Sequence, residues 1–301
     1  MSIHFYCPKC KQLCAFDEEH VGKSARCLSC DQHFIIPDKS QTKPTAIKAD
    51  PGVPLAGFYR EITIGNCKAF VKYSSLTGVV FVIALTALRF FVGHTDYSFN
   101  LPSFRMQLPI GWIAHILEIG CICWYYIETI RWAILGEDDF PEVNIGQGFE
   151  LAGDMIKSTY LFLCALIIAV LPFIIVITYL KSHFVDSPYL NIALAPGFCL
   201  FPMTLLIFAG GSQLWMGFRP DYVVKPVLKA PFAYAAVVAV IAIACVVQMI
   251  TPGYGELLDH SDLSVGLYLL ADIGATLLAL AAMRTIGLFC KHHTCYMPWL
   301  K

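Results

Sequence analysis

The sequence predicts an all-α integral membrane bundle with a small β module at its N-terminus. Two observations predict the bundle. The 301 residues are 57% apolar and only 14% charged, with a mean hydropathy of +0.63. That balance belongs to multi-pass membrane proteins. The apolar residues also gather into six runs, each near the roughly 20 residues that cross a hydrocarbon core. A third observation predicts the module: CPKC at 7–10 and CLSC at 27–30.

Two Cys-x-x-Cys pairs at this separation are a strong zinc signature. Zn²⁺ takes four ligands in a tetrahedron, and thiolate sulfur suits it. Two intervening residues let a tight turn aim both sulfurs at one ion. Cys7, Cys10, Cys27 and Cys30 are therefore the candidate ligands. A module of about forty residues buries too little apolar surface to fold alone, so metal binding and folding are expected to be one event. Leu13 to Phe16, Ser24 to Arg26 and His33 to Ile36 read as short strands, the last stopped by Pro37. Cys14, His20 and His33 are read as a small core residue and two surface histidines. A redox dithiol would want one such pair beside a βαβ pattern, which is absent.

The predicted organisation is a zinc ribbon at 1–37, a flexible linker at 38–57 and a transmembrane domain at 58–301. The linker is rich in Lys, Pro, Thr, Asp and Gly, which suits a tether. Residues 58–73, FYREITIGNCKAFVKY, mix apolar side chains with Arg60, Lys68 and Lys72. They read as an interfacial approach to anionic headgroups. MSIHFYCPKC has no basic region followed by an apolar run, so no cleavable signal peptide is expected.

The six spans are placed at 74–93, 109–135, 158–180, 190–217, 231–250 and 264–290. Pro172, Pro196 and Pro202 fall inside spans three and four, where neighbouring helices can satisfy the freed carbonyls. Residues 147–157 read as a short interfacial helix, and 218–230 as a basic segment leading into span five. Arg60, Lys68, Lys72, Arg131, Lys157, Arg219, Lys225, Lys229, Lys291 and Lys301 flank the spans on one side, but only Arg105 and Lys181 on the other. This positive-inside asymmetry places both termini in the cytoplasm of a cell (inner) membrane. Free thiolates awaiting zinc want the same reducing compartment. The other eight cysteines lie in or beside apolar runs and read as small hydrophobes.

Ionisable groups inside a bilayer are costly, so each is a candidate functional residue. His115 and Glu118 stand three apart on span two and share a helical face. Asp272 on span six is the best third member of a polar site. The favoured reading is a hydrogen-bonded pair facing the bundle interior, with metal binding or proton relay as the sharper alternative. Glu128 and Arg131 read as an ion pair in the headgroup zone, and Arg89 and Arg284 as snorkelling side chains. Gly210 and Gly211 are either tight packing or a transporter-like break in span four. Ala271, Ala275 and Ala279 form a small-residue stripe.

The stretch CPKCKQLCAFDEEHVGKSARCLSCDQHFIIP resembles the zinc-ribbon domain at the N-terminus of many bacterial proteins, planctomycete-type ones among them. Those ribbons usually carry glycine after each Cys-x-x-Cys, where this chain has Lys11 and Asp31. The remainder is similar to six-helix bacterial membrane proteins through GEDDFPEVN, LWMGFRPDYVVKPVLKAP and MRTIGLFCKHH. That likeness implies fold and topology but no activity.

The leading functional expectation is a binding, scaffold or sensing protein. Its ribbon would recruit a cytoplasmic protein partner, and its spans would anchor it in the lipid bilayer. The alternative is a small-solute or ion transporter or channel using the polar cluster. A membrane enzyme ranks below both, since no phosphate loop, nucleophile elbow or HExxH is present. A net charge of −1 and a ribbon of mixed charge argue against nucleic acid.

Overall fold

The computed structural model describes residues 2–6, 13–17, 20, 23–26, 33–36, 53–92, 97–101, 104–108, 110–143, 149–183, 194–211, 214–251 and 262–300. The chain divides into two units, Met1–Lys48 and Ala49–Lys301.

In the first unit, alternating sequence becomes two hairpins. β1 (Ser2–Tyr6) pairs antiparallel with β2 (Leu13–Asp17), closing at Tyr6 opposite Leu13. β3 (Ser24–Arg26) pairs with β4 (His33–Ile35), closing at Arg26 opposite His33. The Lys23 amide donates to the His20 carbonyl, and the Ile36 amide to the Lys23 carbonyl. Ile36 is buried and His20 is exposed. A further strand, Ser2–Tyr6, precedes Cys7. Cys7, Cys10, Cys27 and Cys30 lie outside the described residues.

The second unit opens with a short helical stretch. α1 (Phe58–Arg60) runs through a π turn at Glu61–Gly65 into α2 (Asn66–Val71). α3 (Leu76–Val92) and α4 (Ile110–Ile134) follow, joined by a hairpin of β5 (Tyr97–Leu101) and β6 (Phe104–Leu108). α5 (Phe149–His183) is one continuous helix through Pro172, so residues 149–157 belong to it rather than to a separate interfacial helix. α6 (Ala195–Ala209) comes next, then α7 (Pro220–Lys229), α8 (Pro231–Ile250) and α9 (Asp262–His292). Pro220 and Pro231 each open a helix, where a missing N–H costs nothing. Pro196 likewise sits in the first turn of α6, not in its interior.

Among the described residues, five helical stretches are long and apolar enough to cross a membrane: Tyr73–Val92, Gly111–Ile134, Leu151–Lys181, Pro231–Ile250 and Ser264–His292. Their outward faces carry exposed side chains such as Ile174, Ile175, Ile243, Val246, Leu267 and Leu270. Apolar surface on that scale belongs against lipid. The fourth expected span is shorter than its apolar run: α6 has 15 residues and rises only about 22 Å, against a hydrocarbon core of about 30 Å. Gly210 and Gly211 end it, Gly211 adopting φ +82° as a left-handed cap. The Gly211 amide donates to the Phe208 carbonyl. A short helix is tolerated at membrane depth when protein surrounds it. Every residue from Phe201 to Ala209 is buried.

The core lies among α4, α6 and α9, filled by Tyr125, Ile127, Ile130, Met203, Leu205, Phe208, Leu280 and Phe289. In lipid such packing is driven by van der Waals fit rather than by exclusion of water. α4 and α9 approach closely at Gly287, where a Cβ would lie 2.5 Å from the Ile130 carbonyl oxygen and from the Ala133 methyl. Ala275 is fully buried, but Ala271 is exposed, so the small-residue stripe is only partly a packing face.

Candidate functional site

Four helices contribute polar side chains near the bundle end formed by Val92, Ile110, Ile250 and Asp262. Glu118 stands eight residues into α4 and Asp272 ten into α9, about 12 and 15 Å from those helix starts. Arg89 and Gln248 lie close to the ends of α3 and α8 and reach towards them. Arg89 Nη2 donates to both Asp272 carboxylate oxygens at 2.6 Å. Its Nε lies 3.4 Å from Glu118 Oε1. Gln248 Nε2 donates to Asp272 Oδ1 at 2.8 Å. Thr276 donates to the Asp272 carbonyl, and Thr86 lies 3.4 Å from the Thr276 hydroxyl. The Glu118 and Asp272 side chains are each 4% exposed.

The fork of one guanidinium thus ties α3 to α4 and α9, and an amide ties α8 to the same carboxylate. Two carboxylates facing one cation leave the cluster a negative charge in excess when both are ionised. Desolvation of each ion costs several kcal/mol, so the geometry must be complete for it to persist. Glu118 and Asp272 converge as the polar outliers of their spans suggest. His115 does not join them. Its side chain is exposed, because three residues turn a helix by about 300° and leave it about 60° off the Glu118 face. Among the described residues no group of three or more His, Cys, Asp or Glu is placed to hold a metal ion. Arg89 does not snorkel: it is the cluster's cation. Gln248 carries no charge, and hydropathy alone gave no reason to single it out.

A second polar assembly closes the opposite end, where the tail of α9 meets residues 55–75 and the loop after α4. Arg284 is buried, not snorkelling, and donates to Asn66 Oδ1 at 2.8 Å and to the Asp138 carbonyl at 3.2 Å. Asn66 donates in turn to the Ile62 carbonyl and the Thr285 hydroxyl. Asp139 accepts from Lys72 and Ser74, the Phe140 amide donates to Ser75, and Tyr125 donates to the Pro141 carbonyl. Phe140 is fully buried against Phe70, with ring centroids 4.7 Å apart. The Leu55 amide donates to the His292 carbonyl, and the His292 ring Nδ1 lies 3.0 Å from the Leu55 carbonyl. Lys291 donates to Glu61 at 3.0 Å, and His292 Nε2 lies 3.1 Å from the same oxygen.

The carboxyls of this assembly are shifted. Burial pushes the Glu61 carboxyl up, but His292 and Lys291 pull it further down, so it sits below its ordinary value. Hydrogen bonds from Lys72 and Ser74 hold Asp139 below its own. Glu128 and Arg131 pair as expected, but Arg131 Nε also donates to the Ala209 carbonyl at 3.0 Å. The pair therefore caps α6, placing a cation at the negative end of its dipole. Cys290 and His292 are buried and His293 stacks on Phe289. The CKHHTC tail is packed into the fold.

The helices make the chain a multi-pass membrane protein by their length and composition. No family model, curated protein or solved structure matches it.

Proposed function

We propose that the chain is a membrane-anchored binding scaffold or sensor. Its N-terminal module is a zinc ribbon on the cytoplasmic face of the cell membrane. One observation carries the reading: each Cys-x-x-Cys falls, in sequence, between two paired strands. Tyr6 opposite Leu13 brackets the first pair, and Arg26 opposite His33 the second. Hairpins that close on either side of such a pair are the backbone a tetrahedral thiolate site needs. Cys7, Cys10, Cys27 and Cys30 would hold the Zn²⁺, whose role in a closed four-sulfur site is structural. The concentration of Lys and Arg at one end of the spans supports cytoplasmic termini.

The membrane unit acts as the anchor. Its ionic cluster is closed on itself by Arg89 and Gln248, and its cytoplasmic-side loop is held by Arg284, Ser75 and Tyr125. The test compares proteins captured by the full wild-type chain and by a Cys10→Ser/Cys27→Ser chain from the same cells. A specific partner present with the first and missing with the second, at equal membrane insertion, is the expected result. Identical captures would overturn it.

A second reading has its own observation. Glu118 and Asp272 share one cation, so a proton or small cation would neutralise the cluster. In proteoliposomes, an ion flux lost in Glu118→Gln would favour transport over anchoring.

A further inference from the structure

Bordering the second polar assembly, with which it shares Asn66 and Lys72, lies an open groove of about 1250 Å³ between residues 62–72 and the outer faces of α8 and α9. We propose that it binds one anionic phospholipid, with the headgroup at Lys68 and Lys72 and an acyl chain along Leu277, Leu278 and Val240.

The groove has two chemically different ends. Asn66 Nδ2 lies 3.4 Å from the Ala281 carbonyl, which fixes α2 against α9 at that level. From Ala281 the wall continues along α9 to Gly274, about 10 Å deeper along the axis. That deeper part is made of Gly274, Leu277, Leu278 and Val240 and holds no polar side chain. Lys68 and Lys72 line the other end, beside the interface, and both are exposed. The neutral polar groups between them are already engaged: Thr63 donates to the Tyr59 carbonyl, and Asn66 to the Ile62 carbonyl. Among the described residues no carboxylate lines the groove. Lys72 shares its charge with Asp139, which makes Lys68 the principal headgroup contact.

An occupant must therefore be anionic at one end and apolar for about 10 Å at the other. It must also reach a wall built from two candidate spans. A membrane lipid meets all three conditions, and basic pockets beside spans attract anionic headgroups. The inference stands independently of the ribbon and its metal.

The test uses the full chain in detergent, titrated with dioleoyl phosphatidylglycerol or dioleoyl phosphatidylcholine, with bound lipids counted by native mass spectrometry. One phosphatidylglycerol should bind about fivefold or more tightly than phosphatidylcholine, the gain expected from one lysine at a membrane surface. Lys68→Ala should abolish that preference. Gly274→Leu should weaken both lipids, and it puts the fold at little risk, because a Cβ there meets nothing within 4 Å. Equal binding of the two lipids would overturn the proposal. So would a preference that survives Lys68→Ala, unchanged binding of both lipids in Gly274→Leu, or glycerol phosphate displacing the lipid as well as phosphatidylglycerol itself does.

Discussion

Replacing Arg89 by methionine removes the one cation that the described residues give the cluster and leaves Glu118 and Asp272 without it, each 4% exposed. Removing one partner of a buried pair costs about 3–5 kcal/mol, because the remaining charge stays buried without compensation. For a unit of this size each kcal/mol moves a thermal midpoint by about 2–4 °C, so Arg89→Met should lower it by about 6–20 °C. Glu118→Gln is a different perturbation. The bidentate contact of Arg89 with Asp272 at 2.6 Å remains, the longer 3.4 Å contact is lost, and the excess negative charge goes with it. Its midpoint should shift by no more than about 4 °C in either direction. The triple variant Arg89→Met/Glu118→Gln/Asp272→Asn carries no charge to bury and should recover most of the loss. Tryptophan-fluorescence melts of the purified chain in detergent read all three. Equal losses in Arg89→Met and Glu118→Gln, or no recovery in the triple variant, would refute the charge accounting.

Three other outcomes are expected. Gly287→Val should cost about 1–3 kcal/mol by overpacking α4 against α9, read as a lower melting midpoint. Arg131→Ala removes the cation that caps α6 and should cost about 1 kcal/mol, a fall of about 2–4 °C in the same melts. Glu61 and Asp139 titrate below their ordinary values of 4.5 and 3.8 in the fold, so the unfolded chain binds more protons than the folded one. Their stabilisation is therefore present above those ordinary values and lost as the pH falls through the depressed ones. Melts between pH 3 and 7 should show an acid loss that shrinks in Glu61→Gln and in Asp139→Asn.

The spans were legible because about twenty consecutive apolar residues have few other uses. The end of α6 was legible only as an alternative, the break at Gly210 and Gly211, because glycines in an apolar run serve close packing equally well. Glu118 and Asp272 stood out because ionisable groups in apolar runs are rare. Their partner was misjudged because Arg89, near a helix end, reads equally well as a snorkelling side chain. His115 shared a spacing with Glu118, but the boundary of the buried face falls between them. The hairpin of β5 and β6 hid in the connection between two stronger signals, although YSFNL alternates in the manner of a strand. Asn66 and Arg284, 218 residues apart, meet only in the fold, and no local pattern announces such a pair.

The central claim, a thiolate-held zinc in the N-terminal module of a membrane-embedded chain, is tested most directly by metal content per chain. Elemental analysis of the purified full-length protein should find one zinc, retained through dialysis, and none in Cys27→Ser. A wild-type chain free of zinc, or a Cys27→Ser chain that keeps it, would contradict the account.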